Sequence, residues 1–228
     1  MKYFLTAILL IVVICLYRQS NPAPKASPAI STGFYIFLND ISGSDPWLNL
    51  PKKEIYGMLM QDTLEYDFIQ MAGIKIDGDS RRQVPYLSPL VACRLKPLDG
   101  NLYHRSAIQQ QNKNAFNQFR LQCAYNTDSL MRYIAQPRTA PRTDVNGALS
   151  LALELTGLPN YQNADIYLIL LSDCLQDMPD GKPLQTFIFP PNTIIYIIGK
   201  SPKVDLKKIF PSNRIIVMPT FKAQFFGY

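Results

Sequence analysis

The sequence predicts an α/β sandwich built on a largely parallel central sheet, and three observations carry that expectation. Short apolar runs rich in β-branched and aromatic residues alternate with segments of helical periodicity. Three of the runs, Phe34 to Asn39, Asp165 to Ser172 and Thr193 to Ile198, are apolar nearly throughout, as strands covered on both faces are. Each run ends in a residue that closes a strand: Asp40, Asp173 and Gly199.

Two elements precede the domain. Phe4 to Tyr17 is apolar apart from Thr6 and lies between Lys2 and Arg18. About 14 helical residues reach ~21 Å, short of the ~30 Å hydrocarbon core. An N-terminal hydrophobic helix of that length suits a signal-peptide core or a short signal anchor, so residues 1–18 are assigned that role. Cys15 follows bulky Ile14 and does not read as a lipidation site. Residues 19–33 are rich in Pro, Ala and Ser and read as an extended tether. The expected placement is membrane-anchored with an extracytoplasmic domain, or secreted if the leader is cleaved.

The domain is expected over 34–228. After the first strand, Asp40 to Pro46 is a turn-forming cluster. From Lys53 to about Tyr66, Ile55, Met58, Leu59 and Asp62 fall at helical spacing. Met71 to Asp77 reads as a strand. Val84 to Leu95 is strand-like but holds Pro85 and Pro89, which places it at a sheet edge. Ala107 to Ala135 is mostly helical, with Phe116, Phe119, Leu130 and Ile134 on its apolar side. The clearest helix carries Val145, Ala148, Leu149, Ala152 and Leu155. Thr143-Asp144 supplies its N-cap, and Gly157 with Pro159 stops it. Arg214 to Met218 is a last, weaker strand.

Composition narrows the chemistry. The chain has 228 residues, 23 basic against 17 acidic, for a formal charge of +6. Three of the basic residues, Lys2, Arg18 and Lys25, and no acid fall within 1–33. The remaining balance of 20 to 17 is ordinary, and nucleic acid is not an expected partner. The single histidine, His104, sits in a polar stretch and reads as a surface residue; paired-histidine zinc sites are excluded. No GxSxG elbow accompanies it. Cys15, Cys93, Cys123 and Cys174 show no CxxC spacing. Export would allow Cys93 and Cys123 to pair, with Cys174 left as a thiol. Tyr161, Tyr167, Tyr196, Phe187 and Phe189 are expected in the core. Phe221, Phe225, Phe226 and Tyr228 form an aromatic tail expected to pack on the sheet edge. Lys200, Lys203, Lys207 and Lys208 are a solvated basic cluster.

The residues suited to chemistry carry oxygen and stand where ligands collect in such sheets, beyond the carboxyl ends of the strands. Asp40, Ser42 and Ser44 follow the first strand; Thr143 and Asp144 open the best helix; Asp173 follows the second buried strand. Mg²⁺ prefers six oxygens in near-octahedral array. Two carboxylates would offset its charge, and three hydroxyls would occupy positions without quenching it.

These elements, Asp40-Ile-Ser-Gly-Ser44, Thr143-Asp-Val-Asn-Gly-Ala-Leu149 and Leu170-Leu-Ser-Asp173, resemble the DxSxS, threonine and aspartate elements of von Willebrand factor A domains. The resemblance implies a Rossmann-like, three-layer α/β domain that binds Mg²⁺ or Mn²⁺ and uses it to grip a protein ligand through a carboxylate, without catalysis. It implies Ser42, Ser44 and Thr143 at the metal, Asp40 and Asp173 holding it directly or through water, and Asp144 behind them. The same aspartates also look like those of Mg²⁺-dependent haloacid-dehalogenase-type phosphatases. There, however, an acid stands two residues after the nucleophile, and here that position is Ser42. A metal-free envelope scaffold of the same fold is a further alternative.

Overall fold

The computed structural model describes residues 31–41, 52–62, 65–135, 142–199 and 204–221. The predicted leader helix and nearly all of the tether lie outside the described residues. Among the described residues no helix is long and apolar enough to cross a membrane.

The described chain forms a mixed α/β fold. Its elements are β1 (Thr32–Asp40), α1 (Lys52–Asp62), β2 (Phe68–Ile76), β3 (Tyr86–Val91), α2 (Leu102–Ile134) and α3 (Val145–Thr156). β4 (Asp165–Leu171), β5 (Thr193–Ile198), α4 (Leu206–Ile209) and β6 (Arg214–Met218) follow. Six strands make one sheet in the order β3-β2-β1-β4-β5-β6. All neighbours are parallel except β2 and β3.

β1 is central and shows why its sequence is apolar on both sides. Successive side chains of a strand point to opposite faces. Phe34, Ile36 and Leu38 therefore enter one core, with Ala148, Leu149, Ala152 and Leu155 of α3. Tyr35 and Phe37 enter the other, with Ile55, Met58 and Leu59 of α1 and Phe119, Cys123, Leu130 and Ile134 of α2. Helices thus cover both faces of the sheet. Burying each large aliphatic side chain contributes about 1.5–3 kcal/mol.

The edge expectation for β3 holds. It pairs antiparallel with β2 on one side, and Pro89, opposite Gln70, sits in the outermost strand. The connection is a short 3₁₀ turn, Ser80–Arg82, clasped by Gln83, whose Oε1 accepts from Lys75 N at 2.8 Å. Helix α2 starts five residues before the predicted Ala107, capped by Asn101, whose side chain accepts from His104 N at 2.9 Å. At 33 residues it is ~50 Å long, well beyond the ~30 Å of a nine-residue strand. Its first half is therefore largely exposed, and His104 lies there on the surface as expected.

The predicted aromatic core is present. Phe34 stacks on Tyr161 at 4.0 Å, Tyr35 on Tyr167 at 4.6 Å, and Phe187 meets Phe189 at 6.4 Å. Phe221 packs against Phe37 with centroids 6.4 Å apart; the other tail aromatics lie outside the described residues. Cys93 and Cys123, whose pairing the sequence left open, are not bridged. Cys93, Cys123 and Cys174 are free thiols, and burial against the sheet pushes the Cys123 thiol up to about 12.

Candidate functional site

Asp40 is the last residue of β1. Asn39 is level with Leu171 of β4, so Asp40 emerges beside the residue that follows β4, Ser172. This is the point where the strand order reverses: the chain runs outward from β1 through β2 to β3, then returns to β4 on the other side of β1. Crevices at such points are where α/β sheets hold ligands.

Asp40 is only 1% exposed there. Ser172 Oγ donates to Asp40 Oδ2 at 3.0 Å and accepts from Cys174 N at 3.0 Å. One hydroxyl thus ties the turn leaving β4 to the carboxylate closing β1. The turn is tight enough to hold Cys174 at φ 59°, a conformation uncommon for a residue with a side chain. Asp173 contributes to the same turn, its Oδ1 accepting from Leu175 N at 3.1 Å.

Thr143 and Asp144 reach the same end of the sheet from the other direction. Thr143 is 4% exposed and exchanges two backbone hydrogen bonds with Asp177: its N–H donates at 3.2 Å and its carbonyl accepts at 2.9 Å. Asp144 N donates to Asp77 O, just beyond β2, at 2.7 Å. The pair is therefore strung between the exit of β2 and the loop after β4. The Asp144 side chain caps α3, accepting from Gly147 N at 2.9 Å. Its negative charge complements the positive end of the helix. Gln176 steadies the cap from the facing loop, donating to Asp144 Oδ1 at 3.4 Å and accepting from Asn146 N at 3.0 Å. Gly147 allows this approach: a Cβ there would lie 2.0 Å from Asp144 Oδ2 and 2.9 Å from the Arg81 backbone nitrogen.

The fold therefore gathers Asp40, Thr143, Asp144 and Asp173 at the carboxyl ends of β1, β2 and β4, with Asp77 and Asp177 nearby. Ser42 and Ser44 lie outside the described residues. Among the described residues no group of three or more His, Cys, Asp or Glu side chains is placed to hold a metal. A site of two carboxylates and several hydroxyls is of a different composition. Sequence reasoning assigned Ser172, Gln176 and Asp177 no part in the metal site. Ser172 had a signal, since it stands between the end of a buried strand and an aspartate, where a hydroxyl faces the neighbouring strand's exit.

No family model matches the chain, and no curated protein matches it. Among solved structures, the human COPII-coat protein Sec24c is similar at 11% identity and a TM-score of 0.37. The match covers 86% of this chain and 30% of that one. A likeness of that extent assigns neither a family nor an activity.

Proposed function

We propose that this chain is a membrane-tethered, von Willebrand A-like binding module that captures a protein ligand through Mg²⁺ or Mn²⁺. The ion would be held by Asp40, Ser42, Ser44, Thr143 and Asp173. A hard divalent ion with an open position takes a carboxylate oxygen from a partner.

The observation that carries this reading is the 3.0 Å bond from Ser172 to Asp40, which joins the first and third motif elements across 132 residues of sequence. The second element arrives at the same end through the Thr143–Asp177 bridge. The donor chemistry fits the ion: hard oxygens, a carboxylate screened from water, and a surrounding set of aspartates that raises local cation concentration. The sheet order also supports it, being that of a doubly wound fold with one antiparallel edge strand.

Each side chain has separate work. Ser172 fixes the bearing of the Asp40 carboxylate. Asp144 caps α3 and so fixes Thr143 beside it. Asp173 shapes the exit of β4. The N-terminal apolar segment, by the sequence reading, places the module at a membrane.

Thermal unfolding of the full chain with and without millimolar Mg²⁺ or Mn²⁺ tests the proposal. An ion at 100 times its dissociation constant stabilises by about 2.7 kcal/mol. Asp40→Ala should abolish the shift. A wild-type protein that shows no shift with either ion removes the metal from the reading. Mg²⁺-dependent phosphate release from a generic phosphoester, lost in Asp40→Asn, would replace it with the phosphatase.

A further inference from the structure

The amino-terminal half of the sheet, away from the candidate metal site, buries a second polar cluster. Its centre is Asp62, the last residue of α1, which is 3% exposed. Tyr35 Oη of β1, itself buried, donates to Asp62 Oδ2 at 2.6 Å. The Tyr35 ring lies flat on Tyr167 of β4. Tyr167 and Tyr66 share a hydroxyl–hydroxyl contact of 2.6 Å, and Tyr66 Oη donates to Asp165 Oδ2 at 3.0 Å. Tyr196 of β5 flanks Tyr167 at 6.5 Å.

The charges around Asp62 do not favour a carboxylate. Among the described residues no ion pair reaches it. Glu65, three residues on, repels it, and Asp165 stands on β4 beyond Tyr66. Arg214 of β6 acts on Tyr196. The charged groups where α2 packs on α1 are engaged elsewhere: Asp128 pairs with Lys52, and Arg120 reaches the Tyr56 hydroxyl. Asp62 also ends its helix, where the carbonyl dipole opposes negative charge. Its own carbonyl accepts from Glu65 N and Tyr66 N at 3.0 and 2.9 Å, so the carboxyl stands at the anchoring turn of α1.

We propose that Asp62 is a proton-operated latch for α1. With the proton bound, the carboxyl group seats the end of the helix on Tyr35 and the tyrosine layer of β1 and β4. With the proton lost, a buried carboxylate is left with one hydroxyl donor among the described residues, and the end of α1 loosens.

The direction of the titration agrees. Burial pushes the Asp62 carboxyl up from 3.8 to about 7, Glu65 adds to the rise, and the Tyr35 hydrogen bond only partly offsets it. An acid whose value is raised by folding binds its proton more tightly in the folded state. The contribution to stability is therefore whole below about 4, falls as pH rises, and is lost above about 7.

Hydrogen exchange of the α1 amides in the full chain, corrected for intrinsic rates, tests the latch between pH 5 and 8. The opening equilibrium should rise at least tenfold in wild type and stay level in Asp62→Asn, which keeps an acceptor for Tyr35 without the titration. Tyr35→Phe should extend the rise to higher pH, because the bond it removes favours the carboxylate in the folded state. An Asp62→Asn protein with the wild-type pH dependence overturns the proposal. The ¹³C carboxyl resonance of Asp62 in wild type decides independently of any variant. A midpoint near 7 supports the latch, and one below 5 rules it out.

Discussion

Replacing Ser172 with alanine removes two buried hydrogen bonds, one to Asp40 Oδ2 and one from Cys174 N. Leaving a buried donor or acceptor unpaired costs about 1–3 kcal/mol. Urea unfolding of Ser172→Ala should show a loss of that size, with Ser172→Thr keeping most of the stability through its retained hydroxyl. Gly147 is the other sensitive single position. The Cβ of alanine would displace the Asp144 cap and press on the Arg81 backbone. Helix propensity alone would favour Gly147→Ala. The expected outcome is instead a loss of at least ~1 kcal/mol, the usual cost of a cap, measured by the same titration. At this scale the sequence identifies residue types better than partners. Asp40, Thr143, Asp144 and Asp173 are recognisable as oxygen donors at strand and helix ends. The position of Ser172 at a strand end is legible, but which strand exit it faces is not, since its partner lies 132 positions away. Asp62 falls at helical spacing with Ile55, Met58 and Leu59, and only the tyrosines around it show why it is buried.

Strands that read as apolar runs between turn residues are the elements the sequence places best. Thr193–Ile198, inside the sheet, and Arg214–Met218, at its edge, both have the predicted bounds, because such a run leaves little freedom in where a strand ends. α3 is equally clear, its cap and its apolar stripe agreeing. The start of α2 is not. Leu102 to Ser106 lie in the overhanging turns, touch little, and so show no apolar period. α4 has four residues, too few to show a period at all. The same contrast predicts how the two long helices respond to truncation. Leu149 of α3 is fully buried against the sheet, whereas Leu121 of α2 is 71% exposed. Leu149→Ala should cost about 2–5 kcal/mol, as buried leucines do. Leu121→Ala should fall within ~0.5 kcal/mol of wild type in chemical denaturation. A large loss at Leu121 would mean that this exposed face of α2 packs on something in the protein as isolated.

Across the whole molecule, one strand carries both polar sites. Asp40 closes β1, while Tyr35 lies five residues earlier on the same strand, ~16 Å away. The two residues also face opposite layers, since Tyr35 points into the α1–α2 core. Sites this far apart, sharing no hydrogen-bond partner among the described residues, usually contribute independently, within about 0.5 kcal/mol. The stabilisation by Mg²⁺ should therefore be the same in wild type and Asp62→Asn when both are measured at pH 8, where the latch is open in wild type. The chain itself links the sites, because residues 42–51, with Ser42 and Ser44, connect β1 to the start of α1 in the sequence. If seating α1 favoured binding of the ion, Asp62→Asn would bind Mg²⁺ more tightly at pH 8, and the difference would vanish at pH 5, where Asp62 is protonated. Lys52 and the residues after it argue for independence: α1 is anchored at its beginning by the Lys52–Asp128 pair and along its length by Ile55, Met58 and Leu59. A latch acting on the last turn of such a helix loosens the turn without dragging the first. Calorimetric titration of Mg²⁺ into both proteins at the two pH values separates additive from coupled behaviour.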